Sequence, residues 1–179
     1  MCTRTGSIAP RPRPSSWALA SLLAFLAVLG AGVAAHAAAK VFPAVNIPVG
    51  IEPAFVAIAD PNADGRPELV VANHASRSVS VLLCSGGGTF AAGATIHVGA
   101  LPTWVAVGDL DGDGRADLAV ANNDSQTISI LLGRGDGTFS PGVDYAKPGR
   151  PTSIAIADLE GDGRADLAVA NTMRTAPAG

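Results

Sequence analysis

The sequence predicts an all-β chain built from repeats of four short antiparallel strands, and three observations carry that expectation. The chain repeats itself. Asp60, Asp109 and Asp158 recur at a spacing of 49 residues, as do Asn73, Asn122 and Asn171, and Pro53, Pro102 and Pro151. A fixed period of this length marks a stacked-repeat architecture. Within each period, short runs rich in Val, Ile and Leu are bounded by Gly, Asn, Asp or Pro, which is the punctuation of strands. After residue 40, no segment of useful length follows the 3.6-residue period of a helix.

In chain order, the first element differs from everything after it. Arg4, Arg11 and Arg13 give a basic start without an acid, and Pro14 precedes an uncharged, Leu- and Ala-rich run from Trp17 to Ala35. Basic start, apolar run and small residues make an export signal, a helix over residues 1–37. Ala35-His36-Ala37 is the first choice of cleavage site and Ala37-Ala38-Ala39 the second. The rival reading is an uncleaved anchor, because the run approaches the roughly 20 residues that span a bilayer. Either way the expected location is secreted, periplasmic or cell-surface, with membrane contact only through this segment if it is retained. Cys2 lies ahead of the apolar run, so it is not the lipidated residue of a lipoprotein signal.

A leading strand is expected at residues 41–48, followed by repeat 1 (49–97), repeat 2 (98–146) and a truncated repeat 3 (147–179). In repeat 1 the strands are Phe55 to Ala59, Leu69 to Ala72, Val79 to Leu83 and, after Gly86-Gly87-Gly88, Phe90 to Val98. In repeat 2 the stretch after Gly135-Asp136-Gly137 runs from Phe139 to Ala146. Four strands per repeat of this length is the pattern of a β-propeller blade. A sandwich or a solenoid of hairpins remains the alternative.

Charge points to chemistry. Without residues 1–37 the chain holds 9 basic and 15 acidic side chains, a formal charge of −6, which argues against a nucleic-acid partner. Eleven of the 15 acids fall in three nine-residue segments, 60–68, 109–117 and 158–166. In the second segment Asp109, Asp111, Asp113 and Asp117 hold positions 1, 3, 5 and 9, and Gly114 at position 6 lets the backbone turn back. Four carboxylates brought so close repel one another unless a hard cation with oxygen ligands neutralises them. The Arg115 carbonyl at position 7 is the expected backbone ligand, with its side chain directed to solvent. Ca2+ suits a flexible ring of six to eight oxygens, whereas zinc wants His or Cys, and none is present in the loop. Cys84 is the one thiol left after cleavage, so no intramolecular disulfide holds the fold and metal is the obvious substitute.

An EF-hand starts with the same D-x-D-x-D-G letters, but it requires Glu at position 12 and flanking helices. Position 12 here is Val120, and the flanks Val105-Ala106-Val107 and Leu118-Ala119-Val120 are strand sequences. Tight D-G turns alone explain one loop. They do not explain alternating acids recurring three times in register. Charge count ranks the sites second, third, first, since the third loop has Glu160 at position 3, and the first has neutral Asn62 there, with Pro67 and Glu68 at positions 8 and 9.

From Asp109 to Asn122 the chain reads DLDGDGRADLAVAN, and from Asp158 to Asn171 it reads DLEGDGRADLAVAN; the first copy, DPNADGRPELVVAN, is looser. Together with LLGRGDGTF at residues 131–139, this resembles the FG-GAP or VCBS repeats of integrin α-chain type β-propellers and many bacterial secreted proteins. The resemblance covers essentially all of the chain after the signal. It implies calcium held through positions 1, 3, 5, 7 and 9 of each loop: by Asp60, Asn62, Asp64, Arg66 carbonyl and Glu68; by Asp109, Asp111, Asp113, Arg115 carbonyl and Asp117; and by Asp158, Glu160, Asp162, Arg164 carbonyl and Asp166. Family propellers commonly have about seven blades, whereas about two and a half repeats are present here. Where repeat 2 has Ile128, Ser129 and Ile130, repeat 3 offers Pro177, Ala178 and Gly179. An incomplete propeller with open edges is expected to be a truncated reading frame or to self-associate.

Two function classes follow. The first is a non-catalytic, calcium-stabilised module binding a protein or glycan at the cell surface. The second is an accessory or truncated fragment of an exported carbohydrate-active or other hydrolytic enzyme. The repeats favour the first. His74 and His97 align with Asn123 and Ala146, and Asp124, Asp136 and Asp144 read as turn and edge residues rather than an acid and base. Trp104, aligned with Phe55 and Ser153, reads as a packing position, and Cys84, aligned with Gly133, reads as incidental.

Overall fold

The computed structural model describes residues 46–146 and 149–173. Among these the strands are β1 (Pro53–Ala59), β2 (Glu68–Asn73), β3 (Ser78–Gly86), β4 (Thr89–His97), β5 (Pro102–Gly108), β6 (Asp117–Asn122), β7 (Thr127–Leu131), β8 (Val143–Ala146), β9 (Arg150–Ala157) and β10 (Asp166–Thr172), and there is no helix. They form two four-stranded antiparallel sheets, β1-β2-β3-β4 and β5-β6-β7-β8, and a two-stranded antiparallel sheet of β9 and β10. The expected export segment, most of the leading strand and residues 174–179 lie outside the described residues. Residues 46–49 carry no strand, consistent with Pro48, which has no N–H for a ladder.

The proline that opens each repeat sits where its missing N–H is tolerated. The pairing register shifts between Pro53 and Phe55 and between Pro102 and Trp104, and the matching irregularity in the third sheet lies between Ala170 and Asn171, opposite Pro151. Proline is confined to strand starts and bulges for this reason. The repeated asparagine ties the second strand to the third: Asn73 Nδ2 donates to Ser78 Oγ (3.2 Å) and Ser80 Oγ (2.9 Å), and Asn122 Nδ2 to Thr127 Oγ1 (3.1 Å) and Ser129 Oγ (2.7 Å).

Alternation along β6 decides how the sheets stack. Leu118 and Val120 join Val70, Ala72, Val79, Val81, Val105, Leu131 and Phe139 in one buried cluster, while Ala119 and Ala121 join Ile128 and Ile154 in a second. Successive side chains of a strand point to opposite faces, so β6 is covered on both. Each fully buried Leu or Val contributes roughly 1.5–3 kcal/mol. The six residues DLAVAN occur in both β6 and β10, yet all six are buried in β6 and none in β10. Place in the stack, not local sequence, sets their burial. Phe55 and Trp104 stack with ring centroids 4.0 Å apart across the first interface, so Trp104 is a packing residue.

One strand departs from expectation. Instead of Phe139 to Ala146, β8 covers only Val143–Ala146, and Phe139 makes an isolated pairing with Gly133. Pro141 stands where the uninterrupted β4 has Ala92, and without an N–H it breaks the ladder.

Candidate metal centre

Each acidic loop joins the first strand of a sheet to the second. Position 1 follows β1, β5 or β9 directly, and position 9 is the first residue of β2, β6 or β10. The loops fold on their own carboxylates. Asp60 accepts from the Asp64 N–H (3.1 Å) and Gly65 N–H (2.9 Å). Asp109 accepts from Gly112, Asp113 and Gly114 (2.7, 3.2 and 2.9 Å), and Asp158 from Gly161, Asp162 and Gly163 (2.6, 3.2 and 2.9 Å). The Gly163 N–H is the main cause that holds the Asp158 carboxyl below the usual aspartate range. At position 5, Asp64, Asp113 and Asp162 accept from the backbone of Arg66, Arg115 and Arg164 at 2.8, 2.9 and 2.9 Å. At position 3, Asn62 Oδ1 accepts from Asp64 N–H (3.2 Å) and Asp111 Oδ1 from Asp113 N–H (3.1 Å).

Glycine at position 6 has φ of 81° in the first two loops and 82° in the third, the left-handed region that glycine enters without penalty. Position 4 also needs positive φ, met by Gly112 and Gly161 but by Ala63 (φ 55°) in the first loop.

The loops differ in which carboxylates they bring together. In the first, Asp60, Asp64 and Glu68 offer oxygens within 4.8 Å of one another; in the second, Asp109, Asp111 and Asp117 do. No three acids of the third loop gather so closely among the described residues. In the second loop the three acids gathered so closely do not include Asp113. Arg115 does not simply face solvent: its guanidinium turns back on Asp113, with Nε 2.7 Å and NH2 2.6 Å from Oδ2, and NH1 reaches the Arg134 carbonyl at 3.5 Å. The Arg115 backbone and side-chain hydrogen bonds hold the Asp113 carboxyl below its usual range.

Position 9 is the most informative. Asp117 is fully buried, and its two oxygens accept from Leu110 N–H (2.8 Å) and Gly133 N–H (2.7 Å). It thereby clamps the loop to the β7 hairpin. Gly133 has to be glycine, since a Cβ there would run into the Ala116 carbonyl. Asp166 accepts from Leu159 N–H at 2.9 Å. Glu68 is also fully buried, but Oε1 has only a long bond from Cys84 N–H (3.4 Å) and Oε2 has no partner. The residue matching Leu110 is Pro61, which has no N–H to give. Burial raises the Glu68 carboxyl above the usual glutamate range against the lowering Cys84 bond, and Asp64 and Asp60 add to the rise.

Sequence reasoning missed Pro61 and Cys84. Their signal was the alignment itself, in which Pro61, Glu68 and Cys84 stand against Leu110, Asp117 and Gly133. The donor set, carboxylate and amide oxygen with one uncompensated buried oxygen, fits a hard divalent cation.

A tandem array of antiparallel sheets, each with an acidic, glycine-pivoted loop between its first and second strands, defines a class of repeat protein. Residues 60–120 and 109–169 match the family model described as FG-GAP-like repeat, and the chain belongs to that family. Among curated proteins, none matches the chain.

Proposed function

We propose that this chain is an exported, non-catalytic calcium-binding module whose repeats are blades of a β-propeller-type fold, and that it binds a protein or glycan at the cell surface. The observation that carries the metal reading is the convergence of three acids in each of the first two loops, within 4.8 Å. Oxygen-only donors select calcium over zinc. Asp60, Asn62, Asp64, the Arg66 carbonyl and Glu68 would hold one ion, and Asp109, Asp111, Asp113, the Arg115 carbonyl and Asp117 another. The third set, Asp158, Glu160, Asp162, the Arg164 carbonyl and Asp166, is the most open. Bound calcium would supply positive charge that offsets the carboxylate repulsion in each loop. The chain's own part is to fix the loops: Asp109 and Asp158 gather backbone N–H groups, Gly114 and Gly163 reverse the chain, and the position-9 acid roots the site in a strand.

Export rests on the basic and then apolar segment over residues 1–37. The non-catalytic reading is supported by what the remaining polar side chains do. His74 Nδ1 lies 3.5 Å from Glu52 on the surface, Asp124 pairs with Arg150 (3.2 Å), Asp136 accepts from Thr138 Oγ1 (2.6 Å), and Asp144 is bonded to Ser129. Each has a local structural partner. Equilibrium dialysis of the purified chain against calcium tests the metal reading: saturable uptake supports it, and no uptake at millimolar calcium rules it out. Incubation with polysaccharides separates the two function classes. Retention without new reducing ends is expected, whereas release of sugars would make the chain part of an enzyme.

A further inference from the structure

We infer that the first loop, not the second, holds the cation on which the fold depends most, and that Glu68 Oε2 is the oxygen responsible. This rests on the calcium reading above and reverses the order that charge count gives.

The reason lies in how each buried carboxylate is compensated before any cation arrives. Asp117 accepts two short backbone bonds, from Leu110 and Gly133, at 2.8 and 2.7 Å. Its charge is already served by protein dipoles, and a cation there adds to a site that is satisfied without it. Glu68 occupies the same position at the same full burial, but it has one bond of 3.4 Å and a bare oxygen. Two substitutions remove what Asp117 enjoys: Pro61 replaces the Leu110 N–H, and Cys84, with a side chain where Gly133 has none, accompanies a longer N–H contact despite the extra methylene of Glu68. A buried charged oxygen without a partner is strongly unfavourable, far more so than a neutral one. The other buried side-chain oxygens without partners among the described residues, Asn73 Oδ1 and Asn122 Oδ1, belong to neutral amides.

The second difference concerns the rest of the group. Asp64 is free to join Asp60 and Glu68, with oxygens within 4.8 Å, whereas the corresponding Asp113 is drawn off by Arg115 at 2.6 Å. In the second loop an internal cation, the guanidinium, already answers part of the negative charge. The first loop has fewer acids, yet more of their charge is left for an external cation to answer. Gly137, in the β7–β8 connection, has its Cβ direction 3.6 Å from Asn62 Cβ and 3.1 Å from Leu83 Cδ2. The first loop is thus also packed against the second sheet, so ordering it reaches the interface between the two.

Calorimetric titration of the purified full-length chain with CaCl2 tests the inference, with Asp60→Asn, Asp109→Asn and Pro61→Leu beside the wild type. The expected result is that Asp60→Asn abolishes the tightest binding event and Asp109→Asn leaves it. Pro61→Leu, which removes no ligand and restores an N–H beside Glu68, should weaken that event by about tenfold, the scale of one hydrogen bond to a charged group. It should also melt at a higher temperature than the wild type in chelator, so its weaker binding is not a folding failure. Loss of the tightest event in Asp109→Asn but not Asp60→Asn overturns the inference and leaves the calcium reading standing, as does unchanged affinity in Pro61→Leu. No calcium uptake by the wild type overturns both.

Discussion

The first and second loops share a backbone path and differ in where their charge is compensated. Asp117 and Asp113 are answered from within, by the N–H groups of Leu110 and Gly133 and by the Arg115 guanidinium. Glu68 and Asp64 are answered less: among the described residues Asp64 has the Arg66 backbone N–H but no guanidinium, and Glu68 has one long bond from Cys84 and a bare Oε2, since Pro61 has no N–H to give. One motif therefore yields two physical objects, a loop that braces itself and a loop that leaves a buried carboxylate oxygen without a partner. Counting acids along the sequence does not separate them; following each oxygen to its donor does.

The largest effect that sharpens this contrast is expected at Asp117. Replacing it with Ala leaves the Leu110 and Gly133 N–H groups without their acceptor and should cost roughly 3–5 kcal/mol in denaturant unfolding, already in chelator. Next comes Glu68→Gln. In chelator it should lie within about 1 kcal/mol of the wild type, or above it, because the charge it removes has only one long hydrogen bond and a bare oxygen. In calcium it should forfeit most of that site's stabilisation, about 2.7 kcal/mol when calcium is 100 times the dissociation constant. If Glu68→Gln and Asp117→Ala behave alike in chelator, the distinction between the loops collapses.

A smaller effect is expected at Ala63, which has a φ of 55° where the other two loops place a positive-φ glycine. Ala63→Gly should stabilise by about 1 kcal/mol in thermal unfolding, since an L side chain is disfavoured there by that order. The reverse changes, Gly112→Ala and Gly161→Ala, should each lose a similar amount. The smallest effect concerns Asp136, whose carboxyl is held below the usual aspartate range chiefly by the Thr138 hydroxyl and then by its N–H. A depressed folded value means that this contribution to stability is present above the unfolded aspartate pKa and is lost as pH falls through the folded one. Thr138→Val should bring the Asp136 titration, followed by NMR, back toward the usual range.

Much of the fold was legible in the sequence. Short β-branched runs between Gly, Asn, Asp and Pro produced the strands, because the alternation of β6 and the bulge-compatible prolines are local facts. The loops were legible because D-x-D-x-D-G couples carboxylate spacing to a residue that tolerates positive φ. What escaped depended on contacts between segments. Arg115 meets Asp113 only once the loop is closed. The missing donor at Pro61 matters only because position 9 is buried beneath it. Burial itself was illegible in DLAVAN, which is interior in β6 and at the surface in β10. The shortening of β8 was within reach, since Pro141 was in view and its lost N–H predicts a broken ladder.

That these loops are structural cation sites is tested most directly by thermal unfolding of the purified chain in chelator and then in calcium of about 10 mM. Two occupied sites with dissociation constants near 0.1 mM would each stabilise by roughly 2.7 kcal/mol. At roughly 2–8 °C per kcal/mol for domains of this size range, the melting temperature should rise by about 10 °C or more. Identical melting curves in chelator and calcium would contradict the account.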